Sequence, residues 1–506
     1  MGAVVSVPAR SVPVGVSKYL IIDGQQRLTT ISILLCALRD CIDPNTANRI
    51  QEVYLTNRFR DSDDVLKLVP TQQDRETYNA IVLEKRNPAT NNLLSKAYEF
   101  FARKLRNGKD GNDVAIESAK VLTVLEQNLQ VVMINLSNTD DPHLIFESLN
   151  FKGSPLTQAD LVRNYLLMRF RHSVTMGGEQ ERIYQTYWSP LEKLLGDKLT
   201  DFLRYYAMKS GDNVRMTEMY TAIKKKLKDF DNPSQVEDEM KHILNFGYLY
   251  ARIIQPNRES CREIQLCLEN IKTLEISTSH PLLLRLFDVY ESNKMDESEF
   301  QKCLALIESF VIRRAVCAVP TNALNKIFLQ WTKNFPSENY YEWLLDFMSS
   351  GSGGQQFPDD EQFGDAFKNK LQYGRGATGF ILKRLEKSFS HKETVDLTSC
   401  TIEHVLPQTL TNEWIECLGG DAEEIHRKIG DTFGNLTLTA YNSELSNNSF
   451  SDKKDRLKNS HIELNRLICE QEKWGVEEIK QRADTLFSIA KSIWTAPSTV
   501  KHGDTD

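Results

Sequence analysis

Between residues 179 and 348 apolar side chains return at helical spacing almost without a break, and this run settles the fold class as mainly α. Its flanks read differently. Residues 18–22 form a short apolar strand that runs into the turn Asp23-Gly24-Gln25-Gln26-Arg27. A helix follows, carrying Leu28, Ile31, Leu34, Leu35 and Leu38 on one face. Residues 129–136 read as a buried strand, and after it comes a helix with Pro142, Ile145, Phe146 and Leu149 that stops near Asn150 and Gly153. Thr157 is placed to cap a further helix, with Asp160 as the first-turn acid that suits the helix dipole. Ser349-Ser350-Gly351-Ser352-Gly353-Gly354 is a loop or joint by composition, and a helix over 380–389 leads into the C-terminal part. A chain of 506 residues exceeds what one core usually serves, so two or three domains are expected.

Composition narrows the setting. Hydrophobic residues at 41% and charged residues at 26% suit a globular chain. With a formal net charge of −7, any nucleic acid must be held by local basic patches, because no global positive field exists. The nine cysteines form no CxxC pair, which argues against a zinc ribbon and for reduced thiols in a cytoplasmic protein. Apolar runs such as 31–38 are too short to span a bilayer, and no signal peptide is expected.

The chemistry-bearing residues gather near the C-terminal end. Thr401-Ile402-Glu403-His404-Val405-Leu406-Pro407-Gln408 sets an acid beside a histidine at the end of an apolar strand. Phe433-Gly434-Asn435-Leu436-Thr437-Leu438 is a second β-like run, followed by Asn442, Asn447 and a helix from about Phe450. Strand, strand and helix with His, Asn and Asn at these stations resembles the layout of an HNH (ββα-metal) fold. Hydrolysis of a phosphodiester needs a base for water and a divalent cation for the charge on phosphate and leaving oxygen. A neutral imidazole can be the base near pH 7, and carboxylate and amide oxygens suit Mg²⁺ or Mn²⁺. His426, His461 and His391 lack such company and read as surface residues.

At the other end, Asp23-Gly24-Gln25-Gln26-Arg27 joins a strand to a helix. Its glycine permits close backbone approach, the helix N-terminus offers N–H groups to an anion, and Arg27 can grip a phosphate with two hydrogen bonds. No GxxxxGK[ST] occurs, so this is not a P-loop.

Together these motifs resemble the GmrSD-type restriction endonucleases. The C-terminal segments, from Glu403-His404 through Gly434-Asn435-Leu436-Thr437-Leu438 to Asn442 and Asn447, resemble that family's nuclease domain. The Asp-Gly-Gln-Gln-Arg turn resembles its ParB-like N-terminal domain, as do Ile145-Phe146-Glu147-Ser148-Leu149-Asn150-Phe151-Lys152-Gly153 and Asp160-Leu161-Val162-Arg163-Asn164. Arg313-Arg314 with Thr321-Asn322 match more loosely. The resemblance implies His404 as general base, Glu403 and Asn442 as metal ligands, and Asn447 as an alternative ligand. It implies Asn435 as the catalytic-site residue holding the His404 loop, and Lys453 and Lys454 as DNA-phosphate contacts. It implies Asp23, Gly24, Gln25, Gln26 and Arg27 as a nucleotide site for GTP or ATP. Family members carry a further segment with a Tyr-Gln-Arg-like motif before this turn; residues 1–22 do not supply it, so the module is expected to be truncated at its start.

The expected architecture is therefore mainly α with α+β modules. A ParB-like module occupies 1–167, a helical region 168–390 and an HNH-like module 391–497. The implied function is a cytoplasmic, metal-dependent DNA endonuclease, regulated by a nucleoside triphosphate and restricting modified foreign DNA, with a homo-oligomer as a further expectation and no membrane. The rivals are a catalytically silent nucleotide or nucleic-acid sensor, and an NTPase with a structural C-terminal module.

Overall fold

The computed structural model describes residues 2–9, 17–58, 64–70, 72–88, 91–109, 114–135, 157–170, 178–230, 232–389 and 395–497. The chain divides into two compact units, Met1–Thr186 and Tyr187–Asp506.

The first unit is built on a sheet in the order β2-β1-β3, with β1 at Ala3–Ala9, β2 at Lys18–Asp23 and β3 at Val132–Asn135. β1 pairs antiparallel with β2 and parallel with β3, which places the N-terminal segment in the middle. The pairing explains why Pro8 is tolerated: β3 covers only Ala3 to Ser6, so Pro8 has a neighbour on one side alone and no ladder bond is lost on the other. β3 also departs from expectation, because Val132 and Met133 are 62% and 55% exposed rather than buried.

Beside the sheet, the helix Gln25–Arg39 buries Ile33, Leu35, Cys36 and Leu38 in a core shared with Leu94, Ala102 and Leu105 of the helix Leu93–Asn107. The buried Arg39 crosslinks it, pairing with Asp40 and donating to Gln51 and to the carbonyls of Ile81 and Val82. The helix Gln158–Met168 starts in a capping box: Thr157 Oγ1 accepts from the Asp160 N–H, and the Asp160 carboxylate accepts from the Thr157 N–H. The helix expected over 142–149 and the family-like segment 145–153 lie outside the described residues.

Among its described residues, the second unit is helical apart from loops and the antiparallel pair β4 (Thr401–His404) and β5 (Leu436–Thr439). One buried cluster combines Ile312, Phe367, Leu382 and Leu385 with Leu436, Leu438 and Trp494, so the strands share a core with helices that precede position 390. Arg313 fastens this arrangement, donating to the Trp494 and Pro358 carbonyls and to Asp360. Behind β5 runs the helix Val476–Ile493. Its buried Arg482 donates through one nitrogen to the carbonyls of Phe433, Gly434 and Leu436 at 3.1, 2.9 and 2.8 Å. Gly434 is glycine because of this helix: a Cβ there would lie 2.3 Å from the Ile479 carbonyl oxygen. Gly434→Ala is therefore expected to destabilise the second unit by about 1–3 kcal/mol, through displacement of the helix. A thermal melt that matches the parent would contradict this packing account.

Candidate active site

β4 delivers Glu403 and His404 as neighbours that face opposite sides of the strand, both buried, at 5% and 7% exposure. Cross-strand pairing sets Glu403 opposite Thr437 and His404 opposite Leu436. The helix Phe450–Leu457 crosses behind the pair. Its start is fixed by Ser449, whose hydroxyl accepts from the Asp452 N–H. Val405, Leu406, Trp414, Leu445, Leu457 and Trp474 fill the space between helix and strand.

Lys453 lies in this packed layer. Its ammonium, 1% exposed, donates to Glu403 Oε1 at 2.6 Å and to the His404 carbonyl at 2.7 Å. Burial pushes the Glu403 carboxyl up and the Lys453 ammonium down, and each is opposed by its partner's charge. Lys453 is thus an internal partner of the acid and not the surface phosphate contact the sequence suggested. Lys454 is half-buried and donates to the Gln471 carbonyl.

His404 has a partner that the sequence did not reveal. Its Nε2 lies 2.8 Å from Asp431 Oδ1, and the edge of its ring meets Tyr373, with centroids 4.4 Å apart. Burial pushes the imidazole below the ordinary histidine value, and Asp431 pulls the other way. A carboxylate accepts, so Nε2 carries the proton and the lone pair is left on Nδ1, which makes no hydrogen bond among the described residues. The Asp431 side chain is 39% exposed and bonds only through Oδ1 among the described residues. Its backbone carbonyl accepts from the Gln372 and Tyr373 N–H groups, which tie this acid to the preceding helical segment.

Asn435 is fully buried and uses both ends of its amide. Oδ1 accepts from the Leu406 N–H at 2.7 Å and from Trp474 Nε1 at 3.0 Å. Nδ2 donates to the carbonyls of Leu406 at 2.8 Å and Gly430 at 2.7 Å. It joins the segment after His404 to the turn bearing Asp431. His426 adds a brace, with Nε2 2.8 Å from the Pro407 carbonyl. Asn447 is exposed after the short helix Asn442–Leu445. The Asn442 side chain lies outside what is described.

The donors can be tested against a hard divalent cation. Glu403 does not fit it as arranged: its carboxylate is buried and already bound by an ammonium, which a second cation would have to displace. Asp431, half-exposed with Oδ2 unengaged among the described residues, offers the open carboxylate oxygen beside His404.

In the first unit, β2 ends at Asp23 and Gly24 takes φ 98°, a left-handed turn into the Gln25–Arg39 helix. A Cβ on Gly24 would also come within 2.8 Å of Val4 Cγ2. Arg27 donates to Asp23 Oδ2 at 2.7 Å, Gln25 donates to the Ile21 carbonyl, and Gln26 is exposed. Gly24, at the N-cap of this helix, supplies no side-chain cap.

Residues 1–167 match the N-terminal domain of the GmrSD restriction endonucleases, and residues 357–489 match their C-terminal domain. The chain belongs to the GmrSD restriction endonuclease family. No curated protein matches it. Membership implies a DNA endonuclease of restriction defence and suggests a divalent metal. The GmrSD C-terminal match contains the whole Glu403–His404–Asp431–Asn435–Lys453 cluster. Among the described residues, no helix is long and apolar enough to cross a membrane.

Removal of the buried ammonium separates pairing from packing at this site. Lys453→Met should destabilise the unit by about 3–5 kcal/mol, because Glu403 is left charged and alone, and adding Glu403→Gln should recover much of that loss. Urea unfolding that is equal in the parent and the single variant would contradict the pairing.

Proposed function

We propose that this chain is a metal-dependent DNA endonuclease in which His404 takes the proton of the attacking water. The observation that carries the reading is the His404–Asp431 contact, with burial holding the imidazole neutral. The water proton moves to Nδ1 while the water oxygen bonds to phosphorus and the bond to the leaving oxygen breaks. Asp431, on the Nε2 side, orients the ring and stabilises the imidazolium that forms. In this reading β4, β5 and the Phe450–Leu457 helix are the ββα-metal module, Asn435 positions the His404 segment, and Glu403 is a structural partner of Lys453.

A bound Mg²⁺ or Mn²⁺ would neutralise charge on the phosphate and leaving oxygen. We assign as its ligands Asp431 Oδ2, unengaged among the described residues, and the exposed Asn447 amide, with Asn442 as a further ligand. We assign the Asp23-Gly24-Gln25-Gln26-Arg27 turn to a nucleoside triphosphate, GTP or ATP, whose phosphates would compete with Asp23 for Arg27. That nucleotide would regulate restriction of modified foreign DNA in the cytoplasm, through NTP hydrolysis in a ParB-like module and self-association of the chain.

His404→Ala should lower the plasmid cleavage rate about 10²–10⁴-fold while the melting temperature and DNA affinity stay near the parent's. Raising Mg²⁺ or Mn²⁺ should not restore it, because metal alone does not replace the base. Cleavage at the parental rate, or full rescue by metal, would overturn the assignment.

A further inference from the structure

The helical part of the second unit holds a cavity of about 430 Å³ lined by Lys209, Arg285, Asp288, Lys294, Phe335 and Tyr340 among others. That volume lies within the range of small-ligand sites, roughly 300–1,000 Å³. The wall carries three cations against one carboxylate. Lys209, at the end of the helix Leu199–Met208, points its ammonium over the rings of Tyr206 and Phe246, 4.3 Å from each centroid. Its hydrogen-bond partner is His242 Nε2 at 2.6 Å. Arg285 stacks on Phe335 at 4.5 Å and gives one N–H to the Lys209 carbonyl. Among the described residues neither cation has a carboxylate within ion-pair distance. Nearby Glu239 is already bound by Lys226 and by the Tyr206 hydroxyl.

Three cations against the single Asp288 carboxylate leave this wall with an excess of positive charge, and cations partly withdrawn from water carry a desolvation cost that a bound anion offsets. Aromatic faces already occupied by those cations leave the cavity short of negative charge rather than of apolar surface. We propose that this cavity binds a phosphate group, gripped by the Lys209 ammonium and the Arg285 fork, with Lys294 at the mouth. A doubly charged group suits a wall with three cations better than a carboxylate does, and a guanidinium fork matches its oxygens. The phosphate could belong to a free nucleotide or to the terminal monoester of a DNA strand, and the two sources can be told apart.

Lys209 gives the site a pH signature. Burial, helped by the charge of Lys226, pushes its ammonium down to about 8, while Glu239 and Asp288 pull it up and Arg285 adds to the depression. His242 and the Tyr206 hydroxyl are the other titratable groups against it. Below pH 8 the ammonium is charged and grips the anion; above it the grip is lost. A phosphate monoester is already mostly dianionic by pH 7, so the ligand's own titration does not mimic this loss.

The test is calorimetric titration of the full chain in EDTA, so that no cleavage intervenes. The probes are inorganic phosphate, GTP, ATP and a short single-stranded oligonucleotide bearing a 5′-phosphate. At least one probe should bind at pH 7, and about tenfold more weakly at pH 9, since one unit above the Lys209 value leaves about a tenth of it charged. Arg285→Gln should weaken that binding at least tenfold, Lys209→Met should abolish the pH dependence, and Arg27→Ala should leave this component intact. Binding of GTP or ATP alone identifies a free nucleotide, and binding of the oligonucleotide alone identifies a DNA phosphate. Absence of binding by every probe, equal affinity in a folded Arg285→Gln variant, or loss confined to Arg27→Ala would overturn the proposal.

Discussion

The candidate site depends on one buried amide. Asn435 holds the Leu406 N–H and carbonyl, the Gly430 carbonyl and the Trp474 indole at once, with all its donors and acceptors engaged. Each such bond nets only about 1 kcal/mol, yet a buried group left unmade costs about 1–3 kcal/mol, so the four are effectively kept or lost together. Their geometric result is the short distance between His404 and Asp431, 27 positions apart in the chain. Without that amide the turn at Gly430 would be held to the end of β4 by fewer ties, chiefly the His426 brace on Pro407 and the Val405 N–H bond to the Asn435 carbonyl.

The Lys453–Glu403 pair plays the complementary part on the other face of β4. A buried ion pair adds little net stability but penalises every arrangement that separates the charges. It sets the register of the Phe450–Leu457 helix on the strand, because the Lys453 ammonium must reach both Glu403 and the His404 carbonyl. Alternation along β4 divides the labour: the acid turns inward to the lysine, and the imidazole is left to Asp431. Burial then holds that imidazole neutral without removing it from reach, since Asp431 remains open to solvent.

Local chemistry was legible in the sequence, and long-range pairing was not. β2, the Gln25–Arg39 helix and the Thr157 cap each follow from a few adjacent residues, and so do β4, β5 and the helix after them. β1 was not among the expected elements, and what lets it carry Pro8 is a long-range fact: β3 stops at its pairing with Ser6. Lys453 was read as a surface cation although it falls on the same helical face as Phe450 and Leu457, a spacing that points it inward. Asp431 carried no signal at all: a single acid after Gly430 is unremarked in a chain with 69 of them. The separation of Glu403 from the open donors is likewise a property of packing, invisible in a motif that simply sets Glu beside His.

The central claim is that His404 is a neutral base with its proton on Nε2 and its lone pair on Nδ1. Histidine NMR of the ¹⁵N-labelled chain, followed through pH, tests it directly, with His404→Gln used to assign the resonance. The account predicts the Nε2–H tautomer and a midpoint below the ordinary value of about 6.5, which falls further in Asp431→Asn as the carboxylate's pull is removed. A midpoint above that value, an Nδ1–H tautomer, or indifference to Asp431→Asn would contradict it.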